Sequence, residues 1–450
     1  MNFVQAFNVG DFRFSGAYIC ASRNGNNFLV GKNGFSIILS DSLVEELTSA
    51  EPSENLQCKL ISRHLATLGD DATFEPIVDI KPTYFIIDVS RRCNFNCVYC
   101  FRNPEETGIE TESVLAVCRF IRDYCRSEGV RKIMIQFWGG EPLLAMENIR
   151  VIYTFFQKTN IRVGYDLETN ASVMTDEIAK ELYDMRVNVG ISIDGTQELH
   201  DRQRPFLNGK PSFAQVLRGI THVRKYFGKR LSAICVITKY NVRHIDEIID
   251  YFVKELHLYN IKFNVVRDNF HAAEHDLIPS EEELTVFARK LCERFFAFNG
   301  KGLCFAESNL VTKLGNLLYR MTNSCCISNG CAGGKKIVSF NGKGEIYPCE
   351  MTDFPDEKLG DINTNDLCKQ ICYGIKRHKY FKEKRIALCD ECPWQPYCKG
   401  GCSSKVRYCS DALVDTVECL LNREIYPLLA EWILKYPYMA DMFFNGEGIL

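Results

Sequence analysis

From residue 83 to about 270, short apolar runs alternate with amphipathic stretches. The apolar runs predict six strands, and the stretches between them have the three-to-four-residue apolar spacing of helices. A sixth helix is predicted over 280–298. Alternating strands and helices predict a parallel sheet, open or curled toward a barrel, with its site at the carboxyl ends of the strands. The predicted strands are 84–90, 132–138, 163–169, 188–194, 231–238 and 261–266.

The two ends of the chain have different patterns. Residues 16–40 alternate apolar and polar positions around Asn/Gly breaks, which predicts two or three antiparallel strands followed by two helices. After about residue 320 the regularity ends, and more than half of the cysteines lie between 325 and 419. We therefore predict an N-terminal α+β domain (1–80), an α/β core (81–310), a cysteine-rich domain (320–422) and a C-terminal helical tail (423–450).

Composition narrows the function. The chain has 450 residues and a net charge of −3, so it offers no strong electrostatic case for binding nucleic acid or an anionic membrane. It shows neither a signal peptide nor an apolar run of membrane-spanning length, and we expect a cytoplasmic protein without a membrane partner. In that reducing compartment, 22 cysteines indicate metal or iron–sulfur ligation rather than disulfides.

Three cysteines follow the first predicted core strand. Cys93, Cys97 and Cys100 have the spacing C-x3-C-x2-C. A [4Fe–4S] cluster commonly takes four cysteines, so three leave one iron open for another ligand. A structural zinc site needs a fourth Cys or His, and residues 101–110 contain neither. The triplet therefore favours an iron–sulfur cluster.

The triplet, with the aromatic Tyr99, resembles the signature of the radical S-adenosylmethionine (SAM) superfamily. The run "GGEP" after the second core strand, "ETN" at the third and "SIDGTQELHDRQR" at the fourth resemble further elements of that family. The resemblance implies a partial (β/α)6 barrel. It also implies a set of cofactor contacts: Tyr99, Gly139, Gly140, Glu141, Thr169, Asn170, Ser192 and Arg204.

The same resemblance implies the chemistry. In this chemistry SAM chelates the open iron of the cluster, and an electron from a reductant leads to cleavage of SAM. The resulting 5′-deoxyadenosyl radical abstracts a hydrogen atom from the substrate. The expected electron donor is a flavodoxin or a ferredoxin.

The cysteine-rich region resembles the SPASM domain, an auxiliary-cluster module of many radical SAM peptide-modifying enzymes. That resemblance implies two more [4Fe–4S] clusters, three in all. One ligand of the first cluster is Cys325 or its neighbour Cys326, and the spacing favours Cys325. One ligand of the second cluster is Cys419, whose spacing fits better than that of Cys409. Two zinc knuckles are the alternative. The implied ligand sets are Cys325, Cys331, Cys349 and Cys402 for the first cluster, and Cys389, Cys392, Cys398 and Cys419 for the second.

Two enzyme branches share these motifs. The N-terminal extension favours a ribosomal-peptide maturase that crosslinks a precursor peptide through a thioether or carbon–carbon bond. In that interpretation, residues 1–80 recognise the leader of the peptide through an edge strand. The alternatives are formylglycine formation as in anaerobic sulfatase maturases, another reaction of SPASM enzymes, and a cluster-bearing electron-transfer protein. Glu350, directly after Cys349, is the candidate base.

Overall fold

The structure is a computed structural model. It describes residues 2–69, 80–102, 108–228, 231–267, 276–303, 305–320, 331–351, 355–364, 366–377, 386–404, 414–437 and 442–445. The predicted ligand position at Cys325 or Cys326 lies outside these residues, as does Cys409.

The N-terminal unit contains two antiparallel sheets and two helices. One sheet has the strand order β1 (Asn2–Val4), β4 (Ala17–Arg23), β5 (Asn26–Gly31), β6 (Ser36–Ser40), and the other has β2 (Phe7–Val9), β3 (Phe12–Phe14), β7 (Ala66–Leu68). The helices are α1 (Asp41–Thr48) and α2 (Glu54–Ser62).

Each of these two helices begins after a serine whose hydroxyl accepts a backbone N–H. Helix α2 ends earlier than the helical pattern suggests, because His64 adopts a left-handed conformation (φ 56°) and the chain then turns into β7.

The core is a parallel sheet, as predicted. The six predicted strands form and pair in chain order, each parallel to the next. They are β8 (Tyr84–Ser90), β9 (Lys132–Gly139), β10 (Arg162–Thr169), β11 (Val187–Ser192), β12 (Ser232–Ile237) and β13 (Asn260–Val265).

Helices cover the outer face of these strands. Val187, Val189 and Ile191 of β11 belong to the main apolar core, so the alternate positions 188, 190 and 192 face the barrel interior. The helices are α3 (Thr111–Ser127), α4 (Met146–Gln157), α5 (Asp176–Asp184), α6 (Gln197–Gln203), α7 (Phe213–Phe227), α8 (Ile245–Asp250, continued by a π-helical turn to Glu255) and α9 (Glu281–Asn299).

Short strands extend the sheet at both edges. Strand β14 (Ala306–Glu307) pairs parallel with β13 and leads into α10 (Ser308–Tyr319). On the other side, β15 (Ile337–Phe340) pairs parallel with β8, and β16 (Glu345–Tyr347) and β17 (Gly360–Asp361) follow antiparallel. The cysteine-rich region is thus joined to the core by continuous strand pairing.

The remaining helices are α11 (Leu367–Arg377), α12 (Gln395–Cys398), α13 (Thr416–Lys435) and α14 (Met442–Asn445). The predicted boundary between the cysteine-rich domain and the tail, at residue 422, falls inside α13. That helix packs against both α9 and β4, so it connects the core with the N-terminal unit. Within the described ranges, no helix is long and apolar enough to cross a membrane.

Candidate active site

The cysteine loop follows β8 at the carboxyl end of the barrel. Backbone hydrogen bonds hold it against residues 203–207, the end of α6 and the segment that follows: Asn96 N–H donates to Pro205 O (2.8 Å) and Val98 N–H to Gln203 O (3.0 Å). The ring of Phe95 packs edge-on against Phe206, with centroids 4.9 Å apart. The cysteine loop is therefore packed against the end of the "HDRQR" run and the residues that follow it.

The three cysteine thiols of this loop lie close together and are half-buried. Burial is the main cause that raises the pKa of Cys93 to about 11, with Glu141 and Cys100 adding to it. Burial also raises the pKa of Cys97, opposed by Arg204. Among the described residues, no three His, Cys, Asp or Glu side chains converge tightly enough for a single metal ion. Three thiols on one loop beside the Arg204 cation fit an iron–sulfur cluster, which would bind them as thiolates.

Two glycines let the end of β9 approach the cysteine loop. A Cβ added to Gly139 would lie 1.8 Å from Ser90 O, and one on Gly140 would lie 2.4 Å from Arg92 O. The peptide N–H of Gly140 donates to Ser90 O (2.8 Å), and that of Glu141 donates to Arg92 O (2.9 Å). These glycines therefore permit the backbone of β9 to pack on the loop that carries the cysteines.

Glu141 joins the ends of β9 and β10. Its buried carboxylate accepts hydrogen bonds from the Thr169 hydroxyl (2.6 Å), Asn170 N–H (2.7 Å) and Leu143 N–H (3.1 Å). Burial raises the pKa of this carboxyl, and these donors oppose the change. The Asn170 side chain donates to Asn94 of the cysteine loop (2.9 Å). Glu141, Thr169 and Asn170 thus lie together, beside the triplet.

Asp194 is a residue that the sequence analysis missed. It is fully buried, and its carboxylate accepts from the Tyr99 hydroxyl (2.6 Å), Arg204 Nε (2.8 Å) and Val236 N–H (2.9 Å). Nη1 of Arg204 lies 4.0 Å from the sulfur of Cys97. Asp194 therefore orients a cation and an aromatic ring next to the predicted cluster position. The sequence signal was its place two residues after Ser192, at the end of β11.

His200 supports this arrangement from behind. Its buried ring accepts from Asp194 N–H (3.3 Å) and lies 3.1 Å from the Ser212 hydroxyl. Burial and the nearby Arg204 lower the pKa of His200 to about 3, so the ring is neutral at ordinary pH. Ser192, the last residue of β11, lies half-buried on the interior face.

The barrel interior is polar. Near its base, the Tyr84 hydroxyl donates to Asp166 (2.8 Å), which also accepts from the Asn188 amide (2.9 Å). Two positions further along β10 lies Glu168. Burial is the main cause that raises the pKa of its carboxyl, Lys262 of β13 lowers this pKa, and Glu350 raises it. These three charged groups therefore face a common space. Glu350, predicted from its place after Cys349, thus lies near the barrel interior.

The second group of cysteines gathers around the start of α13. The pKa of Cys419 is raised by burial and then by Cys392 and Cys389, which places these three thiols within electrostatic range. Burial is the main cause that raises the pKa of Cys398, the fourth predicted ligand, and the nearby Lys313 lowers it.

The described ligands of the other predicted cluster lie toward β15 and the core. Cys349 packs in a small cluster with Ile337 and Ala332, the residue after Cys331. Cys402 lies near the buried Arg267, whose pKa it helps to raise. Assignment of these cysteines to clusters stays a prediction.

Comparison with known proteins decides the family. Residues 87–252 match the radical SAM superfamily. The chain is 31% identical over 289 residues to an uncharacterized protein of Methanocaldococcus jannaschii, covering 64% of this chain and 91% of that protein. This chain belongs to the radical SAM superfamily. It is therefore an enzyme whose family uses a [4Fe–4S] cluster and SAM, as the sequence motifs indicated.

Other radical SAM proteins resemble it over most of its length. A cysteine-type anaerobic sulfatase-maturating enzyme of Clostridium novyi is 27% identical over 328 residues, covering 70% of this chain and 85% of the relative. The structure of anSMEcpe with AdoMet and the Cp18Cys peptide aligns with a TM-score of 0.68 and 23% identity, covering 79% of this chain and 99% of that chain.

The structure of Streptococcus suis SuiB bound to its precursor peptide SuiA has a TM-score of 0.54 and 15% identity, covering 92% of this chain and 99% of that one. These likenesses confirm the predicted α/β fold of a radical SAM barrel with a cysteine-rich C-terminal region.

Proposed function

We propose that this radical SAM enzyme oxidises a residue of a ribosomally made precursor peptide and joins it to a second atom of that peptide through a thioether or carbon–carbon bond. The observation that carries the proposal is the charged barrel interior next to the cysteine loop. Glu168, Lys262 and Glu350 face it, and a substrate held there lies beside Arg204 and the triplet.

The protein's own residues perform the binding and positioning. Cys93, Cys97 and Cys100 would hold the catalytic cluster, and Gly139 to Glu141, Thr169, Asn170, Ser192 and Arg204 would surround SAM. When bound, these cofactors supply a radical that removes a hydrogen atom from carbon. Glu350, the candidate base predicted from the sequence, lies near the same barrel interior.

The extent of the fold supports peptide crosslinking. Two SuiB structures cover 84% and 92% of this chain, whereas the anSMEcpe structures cover 78% to 82%. The N-terminal unit exposes apolar side chains on the outer strands of its sheets: Val9 on β2, Ile38 on β6 and Leu68 on β7. An extended peptide segment can add to such a strand by main-chain hydrogen bonds.

Formylglycine formation is the second candidate, because a cysteine-type sulfatase-maturating enzyme is 27% identical to this chain. In either case we expect two auxiliary [4Fe–4S] clusters in the cysteine-rich region and an electron donor such as flavodoxin or ferredoxin.

Mass spectrometry distinguishes the two functions. Anaerobically reconstituted enzyme, SAM and reductant are given a short peptide encoded beside the gene and, separately, a cysteine-containing sulfatase peptide. Loss of two hydrogens from the first peptide, without a carbonyl and with gaps in its fragment series, supports crosslinking. A carbonyl-reactive product from the sulfatase peptide alone assigns formylglycine formation instead. The triple variant Cys93→Ala, Cys97→Ala, Cys100→Ala is the control, and it should cleave no SAM while retaining auxiliary iron.

A further inference from the structure

Two charged side chains inside the barrel have no partner that neutralises them by contact. Glu168 of β10 and Lys262 of β13 are half-buried, and within the described part of the chain neither forms a hydrogen bond or an ion pair. Asp166, on the same face of β10, is held by Tyr84 and Asn188 instead. Since a buried charge is costly without a partner, Glu168 and Lys262 are available to a bound substrate.

The position of Glu168 relates it to both ends of the site. Toward the cysteine loop its charge interacts with Arg204, whose guanidinium reaches the sulfur of Cys97. Toward the cysteine-rich region it interacts with Glu350. On the adjacent strand β11, the residue paired with Glu168 is Gly190, and the Ile234 side chain of β12 packs over that glycine. A substrate residue that enters beside the triplet therefore meets Glu168 from the barrel wall.

We propose that Glu168 is a catalytic carboxylate that accepts the proton lost by the substrate residue, and that Lys262 stabilises its ionised form. The assignment rests on the peptide oxidation proposed above. A two-electron oxidation removes one hydrogen atom, one proton and one electron from the peptide. The proton moves to a Glu168 oxygen. The hydrogen atom would leave with the abstracting radical, and an iron–sulfur cluster held by the predicted cysteine ligands would take up the electron.

The charges around Glu168 set the pKa of its carboxyl and therefore the pH dependence of product formation. Burial raises the pKa of its carboxyl, Glu350 and Asp166 raise it further, and Lys262 and Arg204 lower it. Only the ionised carboxylate accepts a proton, so product formation should fall as the pH drops through this pKa. Replacing Lys262 removes a nearby cation, which raises the pKa of Glu168 and moves this acidic limb to higher pH.

The test separates SAM cleavage from peptide modification. Enzyme is given whichever of the two peptides is modified, and both 5′-deoxyadenosine and modified peptide are measured across the pH range. We expect E168Q to keep SAM cleavage but to lose roughly 100-fold in modified peptide per 5′-deoxyadenosine, the usual size of a proton-transfer contribution. E168D should recover part of this yield, and K262M should shift the acidic limb to higher pH.

The control is D166N, on the same strand and face, which should leave the yield per 5′-deoxyadenosine unchanged and, because it removes a nearby negative charge, move the acidic limb to lower pH, opposite to K262M. Equal iron content and circular dichroism among the variants show that each has folded. The assignment to Glu168 is overturned if E168Q keeps both the wild-type yield of modified peptide per 5′-deoxyadenosine and the acidic limb of the pH profile. It is also overturned if E350Q, and not E168Q, loses this yield and this limb. If the wild-type enzyme modifies neither peptide, the proposed function falls, and this assignment falls with it.

Discussion

At the scale of single residues, the closest packing in the site is between two glycines and the cysteine loop. Gly139 has a φ of 141°, which side chains rarely permit, and Gly140 lies against the backbone of Arg92. The peptide groups on both sides are hydrogen-bonded to that loop, so neither strand end can withdraw without losing these bonds. The spacing of the three thiols thus depends on residues that carry no side chain.

Gly140→Ala should disturb the catalytic cluster more than the fold. The new Cβ would lie 2.4 Å from Arg92 O and 2.9 Å from the Cβ of Cys93, so the loop must move. Overpacking of this kind costs about 1–3 kcal/mol. We expect a roughly tenfold or greater loss of SAM cleavage with auxiliary iron retained, measured as 5′-deoxyadenosine formed and iron bound per chain.

Gly108→Ala is the matched control, because its nearest neighbour would be Arg92 Nε at 4.0 Å. If both variants cleave SAM at the wild-type rate, the glycines do not set the cysteine spacing.

Residues differ in how far sequence reveals them. The triplet and the "GGEP" run could be identified because their spacing is local. Asp194 could not, since Asp-Gly in a sequence indicates a turn, and only the fold brings Tyr99 and Arg204 to its carboxylate. Glu168 and Lys262 were also missed, because they lie on strands separated by almost a hundred residues and meet only when the barrel forms.

At the scale of elements, the six core strands were predicted because each is an apolar run of ordinary strand length. Strands β14 to β17 were not predicted, since they have two to four residues and owe their conformation to the strands they pair with. Helix α6, seven residues long, was missed for a similar reason. Long-range pairing, which the sequence does not display, determines these short elements.

Helix α13 begins at a buried ion pair that fixes the position of Cys419. The carboxylate of Asp415 accepts from the Glu418 N–H (3.0 Å) as the helix cap and from Arg267 Nε (2.9 Å). Its side chain is 2% exposed and that of Arg267 is 8% exposed. The cap therefore also neutralises a cation near the second cysteine group.

Asp415→Ala should cost more than the loss of an ordinary helix cap. It removes one of the two carboxylates that pair with the buried Arg267 and leaves only Glu418 (3.3 Å), so the cost lies between that of a cap and that of a fully broken buried pair, about 3–5 kcal/mol. Ser280→Ala removes the cap of α9, where the capping box is exposed, and should cost about 1 kcal/mol. Urea unfolding followed by circular dichroism gives both values, and equal costs for the two variants would contradict the role given to the ion pair.

At the scale of the whole molecule, the N-terminal unit is packed on both faces of its larger sheet. Leu29 and Leu39 face the unit's own core, whereas Ala21, Phe28 and Val30 join the main core, where α13 packs against β4. The turn before β6 docks on the cysteine-rich region, since the Tyr397 hydroxyl donates to Gly34 O (2.5 Å). A peptide segment bound by this unit would therefore lie at a fixed position relative to the barrel.

Gly34→Ala tests whether this docking holds the unit in place. Gly34 has a φ of 83°, and an added Cβ would lie 2.7 Å from Arg320 Nε and 2.9 Å from Pro396 Cβ. Gly25→Ala is the matched control, because Gly25 has a similar φ of 72° but its nearest neighbour would be 3.7 Å away. Both variants carry the strain of a left-handed alanine, about 1–2 kcal/mol, and only the first also disturbs the docked surface.

We expect Gly34→Ala to increase amide hydrogen exchange in both β4 and α13, whereas Gly25→Ala should raise exchange only within the N-terminal unit. Unchanged exchange in α13 of the Gly34 variant would mean that the apolar contact between α13 and β4 holds the unit by itself, and that the turn contributes nothing to its position.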